Sequence, residues 1–85
     1  MKKSTVKPEI PLHDVYLSAF LALRGQEPAI VLSGSRAVFM FQSDEALNKL
    51  MREYNEGAPV SVAEYANAVR RLRSRMMAVR DGGRW

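Results

Sequence analysis

The side chains able to do chemistry are few and scattered. His13 is the single histidine and there is no cysteine, so a histidine-rich metal site, a thiolate site and a disulfide are all excluded. A lone imidazole can act as general base or pH sensor, but His13 directly precedes Asp14, a helix-capping residue type, and reads as structural. The adjacent carboxylates Asp44 and Glu45 would suit acid–base work. Placed in the first turn of a helix, they instead meet the positive end of its dipole. Ser33-Gly34-Ser35 has one glycine and lacks the lysine and strand-to-helix setting of a phosphate loop, so it reads as a turn. No spacing of serine, histidine and acid argues for a nucleophile. The expectation is a protein that is not an enzyme, with no catalytic residues, no cofactor and no metal.

One stretch remains. RRLRSRMMAVR, residues 70–80, holds five arginines and no acid. Residues 1–69 hold seven Lys/Arg and eight Asp/Glu, a net of −1, whereas residues 70–85 hold six Arg and one Asp, a net of +5. The whole excess of positive charge therefore sits at the C-terminal end, which hints at an acidic partner. Arg70, Arg71, Arg73 and Arg75 are the candidate nucleic-acid contacts, because arginine grips phosphate bidentately. On a helical wheel Arg70 and Arg71 fall far from the apolar seam, and Arg73 and Arg75 flank it on opposite sides. The charges surround the seam and form no single track, so a solvated helix face explains most of them. What it explains less well is the lack of glutamates one turn away.

With 85 residues the chain has room for one domain. Hydrophobic residues at 47% and charged residues at 26% describe a folded chain, too apolar for disorder. VYLSAFLAL, residues 15–23, is about half of the roughly 20 residues a membrane span needs. Glu9 and Asp14 separate it from Lys2 and Lys3, and no small-residue cleavage site follows, so no leader peptide is expected. The chain reads as cytoplasmic, with no membrane partner.

The elements follow from periodicity and punctuation. Residues 1–12 carry two prolines and little pattern, and are expected to be a mobile arm. Asp14 caps a first helix whose Tyr16, Leu17, Phe20, Leu21 and Leu23 recur at helical spacing, and Gly25 and Pro28 end it. AIVL (29–32) and AVFMF (37–41), joined by SGSR, predict a β-hairpin. Ser43 or Asp44 starts a second helix with Leu47, Leu50, Met51 and Tyr54 on one side. Ser61 and Glu64 have capping-box spacing for a third helix over 62–80. Its apolar positions are Val62, Tyr65, Val69, Leu72, Met76 and Val79. The class is α+β in the order α-β-β-α-α, one domain over 13–80, with a flexible tail at 81–85.

Val38, Phe39, Met40 and Phe41 run on without alternation, so they point to both faces of the sheet and both faces should be covered. A two-stranded hairpin is marginal alone. The surplus apolar surface, or an open strand edge, is expected to be buried against a second copy, and Val38, Phe39, Met40, Phe41, Leu72 and Met76 are the candidate core or dimer surface. Each tyrosine falls on an apolar helix face, with its hydroxyl expected at the rim.

DVYLSAFLALRG, the VFMF strand, LNKLMREYNEG and VAEYANAVRRLRSR together resemble the successive blocks of a small bacterial, archaeal and phage family known as domain of unknown function 5659. Asp14, Tyr16, Leu17, Ala19, Phe20, Leu21 and Gly25 match its first block, and Val38, Phe39 and Phe41 fit the second loosely. Tyr54, Gly57, Tyr65, Arg70, Leu72, Ser74 and Arg75 carry the last two. The resemblance covers about residues 13–76 and rests mostly on fold-making positions. It implies no enzymatic activity. Ser18 departs from the pattern, which has alanine there.

Two functions stay open. One is a non-catalytic interaction or accessory module acting as a homodimer. The other is a nucleic-acid-binding protein whose C-terminal arginines contact phosphates without strong sequence readout. A helix-turn-helix over 44–80 is disfavoured, because the basic residues lie in the C-terminal half of the last helix.

Overall fold

The structure is a computed structural model that describes residues 8–81. Its elements are β1 (Glu9–Leu12), α1 (Val15–Leu23), β2 (Ala29–Ser33), β3 (Arg36–Gln42), α2 (Glu45–Asn55) and α3 (Val62–Arg80). The protein is an α+β domain, and the five expected elements are all present. A sixth precedes them. Glu9–Leu12, expected inside a mobile arm, is a strand that pairs antiparallel with β3. Its four residues are too short to show a period, and Pro11 argues against a strand unless that strand lies at an edge, as β1 does. Residues 1–7 and the 82–85 part of the expected tail lie outside the described residues.

Local chemistry sets the helix boundaries. The Asp14 carboxylate accepts from the amides of Tyr16 and Leu17, Asp44 accepts from Leu47, and the Ser61 hydroxyl accepts from Glu64. Each satisfies donors that a helix start leaves open. At the other ends, Gln26 N–H donates to Leu21 C=O and Gly25 N–H to Ala22 C=O, and Ala58 and Gly57 repeat the pattern on Glu53 and Tyr54. That crossed pair of bonds needs a left-handed residue, which Gly25 and Gly57 supply at φ 100° and 82°.

The sheet order is β1-β3-β2. Ser33 pairs with Arg36, so the β2–β3 connection is the two residues Gly34 and Ser35. Gly34 has φ 66° and Ser35 is not left-handed, the φ pattern of a type II′ turn, whose twist matches the strands it joins.

Register divides the sheet into two faces. Ile10 and Leu12 lie opposite Phe41 and Phe39, and Ile30 lies opposite Phe39 from the other side. On this face Phe39 and Phe41 form one buried cluster with Ala19, Phe20 and Leu21 of α1, Leu47 of α2, and Ala68 and Leu72 of α3. All three helices therefore pack on one side. Within one chain the helices cover only this face: on the opposite face Pro11, Ala29 and Val31 are exposed, although Val38 is buried.

Ser18 of α1 is fully buried, and its hydroxyl has no hydrogen-bond partner among the described residues. A desolvated, unpaired hydroxyl is costly. Ser18→Ala should raise stability by about 1 kcal/mol, read as a higher midpoint in urea. A lower midpoint would mean that the hydroxyl is paired after all.

Candidate interaction surfaces

The four candidate arginines of α3 split into two pairs. On one flank Arg71 reaches Glu27 at 2.8 Å and Arg75 bonds the same carboxylate, with a further contact from Arg75 to the Pro28 carbonyl. On the other flank Arg70 bonds the Asn67 side chain, and Arg73 donates to the Tyr16 hydroxyl at 2.8 Å with its guanidinium 5.6 Å from that ring. The wheel placed Arg73 and Arg75 correctly on opposite sides. It could not show that the acid missing from the helix arrives from the α1–β2 loop.

The hydrogen bond from Arg71, against a smaller opposing effect of burial, holds the Glu27 carboxyl below its ordinary value, and the positive charges of Arg71 and Arg75 act the same way. The same bond holds Arg71 above its ordinary value. A depressed carboxyl contributes stability that is present above its unfolded pKa and is lost as pH falls through the folded one. Glu27 and both arginines are well exposed, so solvent screens the cluster and its worth stays below about 1 kcal/mol. Glu27→Gln should therefore lower stability slightly at neutral pH and not at all in acid. Urea melts of both chains at the two pH values check this. An equal gap at both would show that the charge is not responsible.

Tyrosines depart from expectation at one position. Tyr54 and Tyr65 are half-buried as expected, with the Tyr54 ring 5.6 Å from that of Phe20. Burial, with Tyr54 beside it, raises the Tyr65 phenol above its ordinary value. It stays a donor at neutral pH and bonds the Tyr16 carbonyl at 2.9 Å. Tyr16 itself is 47% exposed, its ring turned out to meet Arg73 and not into the core. Val62, expected on the apolar seam, is the first residue of α3 and is 82% exposed.

The six candidate core or dimer residues also separate. Phe39, Phe41 and Leu72 are core and unavailable to a partner. Val38 is buried on the far face, Met40 is half-buried there, and Met76 is half-buried against the core. The apolar surface left over lies on β2, a strand the sequence predicted but whose residues were not among these six candidates. Val31 and Leu32 of β2, on opposite faces of an edge strand, are 41% and 48% exposed. Arg24 was likewise missed: it lies over Phe20 at 5.0 Å and donates to the Pro59 carbonyl at 2.9 Å, tying the end of α1 to the α2–α3 loop.

Among the described residues no three His, Asp or Glu side chains gather as a metal site, and no helix is long and apolar enough to cross a membrane. What the fold presents is a single-layer sheet backed by three helices, with exposed apolar residues on its β2 edge and a row of arginines on α3. The family model described as Domain of unknown function (DUF5659) matches residues 7–78, and the chain belongs to that family. Neither a curated protein nor a solved structure matches it.

Proposed function

We propose that the chain is a non-catalytic interaction module that works as a homodimer, two copies joining edge to edge through β2. The observation that carries this reading is the contrast between the two edges of the sheet. β1 carries Glu9 and Pro11, which discourage pairing. β2, AIVLS, carries neither charge nor proline and exposes Val31 and Leu32.

The backbone supports the same choice. In a two-residue hairpin the residues flanking the turn are a hydrogen-bonded pair. Ser33, Val31 and Ala29 therefore spend their N–H and C=O groups on β3, and Ile30 and Leu32 direct theirs to the open edge. A two-fold axis through Val31 sets Ile30 of one protomer against Leu32 of its partner, and both pairs exchange bonds. Such a contact is self-complementary, as a closed dimer requires. It yields a continuous six-stranded sheet with every helix on one side.

Phosphate contact by Arg70, Arg71, Arg73 and Arg75 is the weaker reading, because Arg71 and Arg75 already share Glu27. Sedimentation equilibrium at tens of micromolar tests the dimer. Twice the chain mass of 9.6 kDa is expected, and a compact monomer overturns it.

A further inference from the structure

Each of the four arginines between residues 70 and 75 has a partner: Glu27 for Arg71 and Arg75, Asn67 for Arg70, Tyr16 for Arg73. The fifth arginine of α3, Arg80, has none among the described residues, and neither has Arg36 at the end of the hairpin nor His13 before α1. These three residues come from parts of the chain far apart in sequence. They line one cleft of about 290 Å³ together with Ser35, Ala37 and Met76.

The lining is one-sided in charge. His13 comes from the β1–α1 connection, Arg36 from β3 and Arg80 from α3, and among the described residues no Asp or Glu lines the cleft; Asp81, next to Arg80, is not among the lining residues. Like charges brought together repel, and the repulsion is strongest beside low-dielectric walls such as Ala37 and Met76. An anion turns that repulsion into attraction. The donors suit an oxyanion with several oxygens: each guanidinium offers a planar fork, His13 a ring N–H, and Ser35 a hydroxyl. The volume lies at the small end of ligand pockets, roughly 300–1,000 Å³, which leaves room for a phosphoryl group together with part of the ester that carries it. We propose that the cleft between His13, Arg36 and Arg80 binds the phosphoryl group of a phosphate ester or diester. This site is separate from the arginines of residues 70–75 and does not depend on the dimer.

Free phosphate and a nucleic-acid backbone share this chemistry, and one experiment distinguishes them. The isotopically labelled full chain is titrated with inorganic phosphate and, separately, with a short oligothymidylate. The arginine side-chain N–H signals and the His13 ring signals are followed by NMR, with sodium chloride at matched ionic strength as reference. Saturable shifts at His13, Arg36 and Arg80 are expected. The double substitution Arg36→Ala/Arg80→Ala should weaken binding at least about tenfold, and Arg70→Ala should leave it unchanged. Circular dichroism verifies that both variants stay folded, as exposed positions allow. Saturation by phosphate assigns a small phosphate ester, whereas saturation by the oligothymidylate alone assigns a diester backbone. The proposal is overturned if chloride reproduces the shifts, if neither titrant saturates, or if the double variant binds like the parent.

Discussion

Replacing Phe39 with alanine should cost about 4 kcal/mol of folding stability and lower the melting temperature by roughly 15 °C or more. Phe39 is fully buried on the middle strand, with Leu12 opposite it on β1 and Ile30 opposite it on β2. It is the one side chain whose register partners come from both neighbouring strands while its own ring faces the helices. Removing it opens a cavity that a sheet held by hydrogen bonds on both sides cannot close. A domain of this size has only about 5–15 kcal/mol in hand, so the variant should be near the limit of folding. Phe39→Leu, which keeps most of the volume, should cost clearly less. Thermal melts of the two variants decide the matter. If Phe39→Ala melts within a few degrees of the parent, the sheet does not sit on the helices as described.

Val31→Lys should convert the proposed dimer to a folded monomer. With the two-fold axis passing through Val31, the substitution sets two ammonium groups directly opposite each other, where like charges are destabilising. Lysine on an edge is also a common natural guard against strand pairing. Dissociation should become at least about tenfold easier, while circular dichroism stays unchanged because Val31 is exposed. Val31→Glu should behave in the same way. Mixing the two variants should restore association, since lysine then faces glutamate, and sedimentation of the mixture reads this directly. Restoration is the sharper half of the test, because mere damage to β2 would not be repaired by mixing. A mixture that stays monomeric argues against pairing centred on Val31.

What could be read from the sequence was what is local. Asp14, Asp44 and Ser61 cap helices through bonds spanning two or three residues, and Gly25, Gly34 and Gly57 sit where turns need them, so six signals placed five elements. The hairpin was legible for the same reason. β1 was not, since nothing in EIPL announces a strand until β3 lies beside it. The arginine-rich stretch was half legible. Its helical phase was readable, yet its charge balance rests on Glu27, which is 44 residues from Arg71 and 48 from Arg75. A glutamate before a proline in a loop carries no signal of that role. The same distance hid the cleft that His13, Arg36 and Arg80 line. Apolar runs also misled: Phe39 and Phe41 looked equally suited to core and to interface, and only register shows that they face inward while Val31 does not.

The strand order has a consequence in time. β2 and β3 are neighbours in sequence and can zip within microseconds. β1 reaches β3 only after the chain has passed through a helix and the whole hairpin, so the entropy of closing that larger loop must be met first. β1 should therefore be the last strand to arrive and the first to leave. During that interval both sides of the hairpin stand open, one of them permanently apolar. The charge of Glu9 and the missing N–H of Pro11 protect the sheet only once β1 has docked, and the brief two-stranded state is the moment at which this protein is most prone to stick to its neighbours.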